Sequence, residues 1–130
     1  MSEPAPGPQY SGGPVATCHC GEVKIVLPHA PTVVVACNCS LCQRYGVLWV
    51  YYDVAELTGL PEPGATDTYA WNGKHVDFHR CRNCGCVTHW APRSAERETR
   101  GINARLLPEA VVTAARLRHK DGAGSGRYLD

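Results

Sequence analysis

Phenylalanine and methionine are almost missing from this chain, one of each in 130 residues, while Gly and Pro are plentiful at 13 and 10. That balance works against long amphipathic helices and favours short strands joined by turns. An excess of charge is missing too. Thirteen Lys and Arg are interleaved with twelve Asp and Glu, for a net charge of +1, whereas binding along a phosphate backbone needs a basic face or stripe. Nucleic acid is therefore disfavoured as a partner. Long apolar runs are absent: residues 33–37 and 47–52, the longest, fall far short of the roughly 20 residues of a membrane helix. The opening Met-Ser-Glu-Pro-Ala-Pro-Gly-Pro has neither the basic start nor the apolar stretch of a secretory leader. These absences lead to the expectation of a soluble, cytoplasmic protein with no membrane partner. No period of roughly 20–50 residues signals a repeat architecture, and the length suits one domain.

What the chain has in abundance is cysteine, eight in all. In a reducing compartment, dense cysteines at short regular spacings point to metal rather than to disulfides. In Cys81-Arg82-Asn83-Cys84-Gly85 two thiols share a tight turn, and the glycine can take the positive φ that lets backbone N–H groups face the sulfurs. In Cys18-His19-Cys20-Gly21 the i, i+2 spacing puts both thiols on one side of an extended segment, again before a glycine. Together these half-sites supply the four thiolates of a closed structural zinc site, so Cys18, Cys20, Cys81 and Cys84 are expected to share one ion. His19, between two of them, is expected to point away.

Cys37-Asn38-Cys39-Ser40-Leu41-Cys42 places three thiols on one compact loop. Cys37, Cys39 and Cys42 could hold a second ion while leaving a fourth position open, as catalysis requires. Two other readings stand beside this one. The three thiols could be free or buried, or Cys86 could complete a second closed site. His79 and His89 are candidates for a missing ligand or an acid–base group, against the plainer reading of each as a hydrogen-bonded structural histidine.

Between the cysteines the pattern is that of a mainly β protein. Residues 22–27 alternate as a strand, residues 33–36 and 47–53 are dense in β-branched and aromatic side chains, and 57–60 reads as a short strand. Residues 67–71 and 75–79 flank Asn72-Gly73, a tight hairpin signal that delivers Cys81. Residues 87–91 and 100–106 read as further strands, and only 109–116 reads as helix, with Pro108 at its start. The expected organisation is a disordered or loosely docked tail over 1–14, one domain over 15–120 and a C-terminal tail over 121–130.

As a set, Cys-x-Cys-Gly, Cys-Asn-Cys-Ser-Leu-Cys and Cys-x-x-Cys-Gly after a hairpin closely resemble the glutathione-dependent formaldehyde-activating enzyme family, which also includes centromere protein V. The resemblance covers roughly residues 15–107. It implies a β-tent of small stacked antiparallel sheets stapled by zinc, here with one short C-terminal helix. It also implies a structural zinc at Cys18, Cys20, Cys81 and Cys84, and a second site at Cys37, Cys39 and Cys42. The activity implied is that of a carbon–sulfur lyase: a small thiol such as glutathione, bound as thiolate at the open zinc, adds to an aldehyde such as formaldehyde. Asn38, Ser40 and His79 are the candidate proton donors. Arg44, Asn103 and Arg105 are candidates for holding the thiol substrate, since glutathione carries two carboxylates, with Arg80 and Arg82 also near the motifs. Trp49, Tyr51, Trp71 and Trp90 could line a pocket or belong to the core. Two other classes remain open at this stage. One is a non-catalytic zinc-stabilised binding or structural module, and the other a redox or metal-buffering protein.

Overall fold

A computed structural model describes residues 13–62, 64–71 and 75–130. The Asn72-Gly73 turn and most of the expected N-terminal tail lie outside the described residues.

The mainly β expectation holds. β1 (Val15–Thr17) and β2 (Lys24–Val26) form a two-stranded antiparallel sheet. The remaining strands are β3 (Val33–Cys37), β4 (Trp49–Asp53), β5 (Thr66–Trp71), β6 (Val76–Cys81), β7 (Val87–Pro92), β8 (Thr99–Asn103) and β9 (Arg116–Lys120). They form a seven-stranded sheet in the order β5-β6-β7-β8-β4-β3-β9. Every neighbouring pair is antiparallel except β3 and β9, which run parallel from Val33↔Arg116 to Cys37↔Lys120. The segment read as a short strand at 57–60 contributes a single bridge, Thr58 to Val26.

Strand alternation gives the large sheet two different faces. On one, Val34, Val50 and Ile102 pack against Ala16, Ile25 and Leu27, so the small sheet stacks on the large one. Ile25, Leu27 and Ile102 have no exposed surface, and burial of each such side chain is worth about 1.5–3 kcal/mol. On the other face Val35, Trp49, Val76 and Phe78 form a second cluster, with Cys37, Cys39, Tyr51 and Trp90 packed against it.

Among the described residues there are two short α-helices. The sequence pattern missed α1 (Ser40–Tyr45) because six residues give no helical period. Its N-cap is Cys39, whose Sγ accepts from the Cys42 N–H at 3.3 Å, a thiol in the place usually held by Ser, Thr or Asp. α2 (Glu109–Ala114) ends two residues before the expected Arg116, which opens β9 instead. Among the described residues no helix is long and apolar enough to cross a membrane.

Residues 121–130, read from sequence as a tail, fold back on the domain. Asp121 N–H donates to Arg127 O, Leu129 N–H donates to His119 O, and Asp130 accepts from His119 through both its backbone N–H and its ring. Composition suggested a tail because the segment is polar and rich in Gly. The hydrogen bonds that hold it return to β9 within about a dozen residues and are made largely by backbone groups, which leave no mark on its sequence.

Candidate functional site

Two groups of cysteines converge, one on each side of the large sheet. The sulfurs of Cys18, Cys20, Cys81 and Cys84 all lie within 4.8 Å of one another. Cys20 Sγ is 3.6 Å from both Cys18 Sγ and Cys81 Sγ, against an edge of roughly 3.8 Å for four sulfurs placed tetrahedrally around zinc. The group joins the end of β1 to the end of β6 and so ties the small sheet to the large one. Gly21 and Gly85 follow their cysteines at φ +87° and +82°, as the motif requires. Backbone donors face the sulfurs: Val23 N–H reaches Cys18 Sγ at 3.2 Å, and donation from Cys86 and Cys20 N–H holds the Cys84 thiol down to about 5. The neighbouring thiols push Cys81 the other way, up to about 11, so Cys84 carries the negative charge, and a sulfur group with one ionised thiol and backbone N–H donors facing it suits a soft divalent cation.

The second group is Cys37, Cys39 and Cys42, again within 4.8 Å of one another. β3 delivers Cys37 and α1 carries Cys42 one turn beyond Cys39. Burial pushes the Cys42 thiol up, and the Trp49 indole N–H donates to its sulfur at 3.3 Å. Burial also pulls Cys39 upward, but the Cys42 N–H and the thiols of Cys42 and Cys37 outweigh it and leave Cys39 below an ordinary thiol. Among the described residues no fourth Cys, His, Asp or Glu joins this group. Either cluster could hold a metal ion.

Cys37 and Cys39 open into a cavity of about 830 Å³. Its walls are the aromatic face of the sheet, the cations lining it among the described residues are Arg97 and Lys120, and one side is closed by Gly122, Ala123 and Gly126 from the C-terminal segment. Asn38 clasps that segment in place: its Nδ2 donates to Asp121 Oδ1 at 3.0 Å and its Oδ1 accepts from Ala123 N–H at 2.9 Å.

With this geometry, residues 14–120 match the family described as glutathione-dependent formaldehyde-activating enzyme. The chain belongs to that family. A crystal structure of a Rhodobacter sphaeroides protein is also similar to it, at 25% identity and TM-score 0.62, over 79% of this chain and 98% of that one.

Within this formaldehyde-activating family chain, the residues expected at the site fall into two sets. Ser40 lines the cavity, as do Trp49, Tyr51, Trp71 and Trp90. His79 does not. It alternates with Phe78, which faces the cavity, so its ring lies on the opposite side of the sheet, bonded through Nδ1 to Thr66 Oγ1 at 2.7 Å and stacked on His89 with centroids 4.2 Å apart. Both polar atoms of the Asn38 side chain are taken by the clasp. Of the expected cations, Arg44 donates to Ser40 O and Arg105 donates through Nε to Gly46 O, while Asn103 caps the following turn and donates to Val87 O. Arg44, Asn103 and Arg105 do not line the cavity, and neither do Arg80 and Arg82. Cys86 belongs to neither sulfur group; its carbonyl accepts from Cys81 N–H beside the first one.

Sequence reasoning missed Arg97, Lys120 and Gly122. Nothing near the cysteine motifs marks them, because the sheet order alone brings them there. Tyr51, expected as a pocket wall or a core residue, has a further capacity: burial keeps its phenol protonated far above neutral pH, so it can act as a donor.

Proposed function

We propose that this chain binds a small thiol such as glutathione and promotes its addition to an aldehyde such as formaldehyde, as a carbon–sulfur lyase of the S-(hydroxymethyl)glutathione synthase type. The observation that carries the reading is the group of three convergent cysteines, without a fourth protein ligand among the described residues, at the wall of a cavity large enough for a ligand of that size. Cys18, Cys20, Cys81 and Cys84 would hold a structural zinc, and Cys37, Cys39 and Cys42 a second one. When bound at the second group, zinc supplies an open Lewis-acid position at which a thiol is ionised at neutral pH.

The chain's own residues do the rest. Lys120 and Arg97 are cations of the cavity wall and meet the carboxylates of the thiol. The aromatic walls exclude water and orient the carbonyl. As the carbon–sulfur bond forms, the carbonyl π pair passes to oxygen, and Tyr51 or Ser40 gives that oxygen its proton. The donors assigned here are those that line the cavity, in place of His79 and Asn38.

Calorimetry of the zinc-loaded protein with glutathione tests this, with Cys39→Ala as the control. Binding by the parent and not by the variant is the expected result. No binding by either would leave a non-catalytic module in which both sulfur groups serve structure.

A further inference from the structure

All three tryptophans of the chain, Trp49, Trp71 and Trp90, face the one cavity, together with Tyr51 and Phe78. Formaldehyde has a single carbon and nothing to lay against a ring. The wall is therefore larger and more aromatic than that substrate can use. Core packing accounts for Trp49, which is 2% exposed, but not for Trp71, which stands on the edge strand β5 at 39% exposure. The rings are also set in advance. Trp49 and Phe78 lie with centroids 6.0 Å apart at 48°, and Tyr51 and Trp90 at 6.0 Å and 56°, tilted pairs that do not cover each other's faces. Trp90 lies across Gly101 at a distance that leaves no room for a Cβ, which fixes its plane, and the Arg97 guanidinium stands over its ring with Cζ 5.8 Å from the centroid. Rings fixed in this way bind a flat apolar ligand at little ordering cost.

We propose that the aldehyde taken by this cavity is an aryl aldehyde, its ring set among Tyr51, Trp71 and Trp90 and its carbonyl directed to the end where Cys37 and Cys39 lie. The proposal rests on the thiol-addition reading above and names the second reactant. The step balances without an oxidant or reductant: the thiol sulfur bonds to the carbonyl carbon, the π pair goes to oxygen, and the proton lost by the thiol is matched by the one oxygen gains. The product is an aryl hemithioacetal.

Benzyl alcohol, which has the ring but cannot react, is the probe. Ligand-observed NMR on the zinc-loaded full chain should show it bound, with roughly tenfold weaker affinity in Trp71→Ala and retention in Trp71→Phe. Glutathione calorimetry on the parent, run beside it, reads the thiol site separately. If glutathione binds while benzyl alcohol does not, or binds Trp71→Ala equally well, the aryl assignment is overturned and the thiol reading stands. If benzyl alcohol binds in a Trp71-dependent way and glutathione does not, the aromatic site stands and thiol addition falls. Binding of neither overturns both.

Discussion

Gly122 lies so close to the sulfur of Cys37 that a side chain cannot be placed between them. The contact joins the C-terminal segment to the three-cysteine group. Gly122→Ala should push either the segment or the sulfur aside. The expected result is a fall in zinc content from two to about one per chain, with the melting temperature largely kept, since the first sulfur group is on the other face. Full zinc content at both groups would show that the contact is not constraining.

The first sulfur group should behave differently. Cys84→Ser removes one of four converging ligands and the best-ionised thiol, so the melting temperature should drop by at least about 10 °C, or the domain should fail to fold. Cys86→Ser, two residues on but outside the cluster, should keep its metal. Thermal melts with zinc analysis of both variants separate the cases, and equal stability of Cys84→Ser and the parent would refute a structural role.

Lys120 and Arg97 line the cavity where Arg44 and Arg105 do not. Lys120→Ala and Arg97→Ala should each weaken glutathione binding by roughly three- to tenfold at low salt, with the loss shrinking as ionic strength rises. Arg44→Ala and Arg105→Ala should leave binding within about twofold of the parent. The reverse ranking in calorimetry would place the thiol elsewhere.

His89 gives the fold an acid sensitivity of its own. Burial, then the charges of His79 and Arg100, hold its imidazole down to about 3, below the ordinary 6.5. In the window between those values the unfolded chain binds the proton that the folded one refuses. The stabilisation is therefore fully present above pH 6.5 and is lost as pH falls toward 3, at up to about 1.4 kcal/mol per pH unit. Urea midpoints of the zinc-loaded parent and of His89→Gln, taken from about pH 7 down to about pH 5, should show the shallower acid slope in the variant. Parallel slopes would remove His89 as the cause.

Much of this was legible in the chain. The alternation of residues 22–27, the β-branched run into Cys37 and the Cys-x-x-Cys-Gly turn each carry their own local cause, and the strands and turns lie where those patterns put them. Helix α1 was not legible, because six residues give no helical period and its cap is a thiol in place of the usual Ser, Thr or Asp. Nor was β9: Arg-Leu-Arg-His-Lys has the charge of an exposed edge, and its partner β3 lies some eighty residues earlier. The cavity followed the same division. Its cysteines and aromatic residues sit in recognisable patterns, but Arg97, Lys120 and Gly122 arrive through strand order alone. Proximity in sequence also misled, since Arg44 and Arg105 adjoin the motifs yet turn to backbone carbonyls. The position of His79 was readable from the two-residue period that sends it opposite Phe78.

The clasp between Asn38 and Asp121 spans 83 residues, and the contact between Cys20 and Cys81 spans 61. Contacts of such separation form late, after the loop-closure entropy of the intervening chain has been overcome. During synthesis the first sulfur group can assemble once Cys84 and its turn have emerged, whereas one side of the cavity stays open until residues 121–126 follow. The domain can thus acquire its shape before its cavity is closed, and the last of the described segments to be made decides when the three cysteines are enclosed.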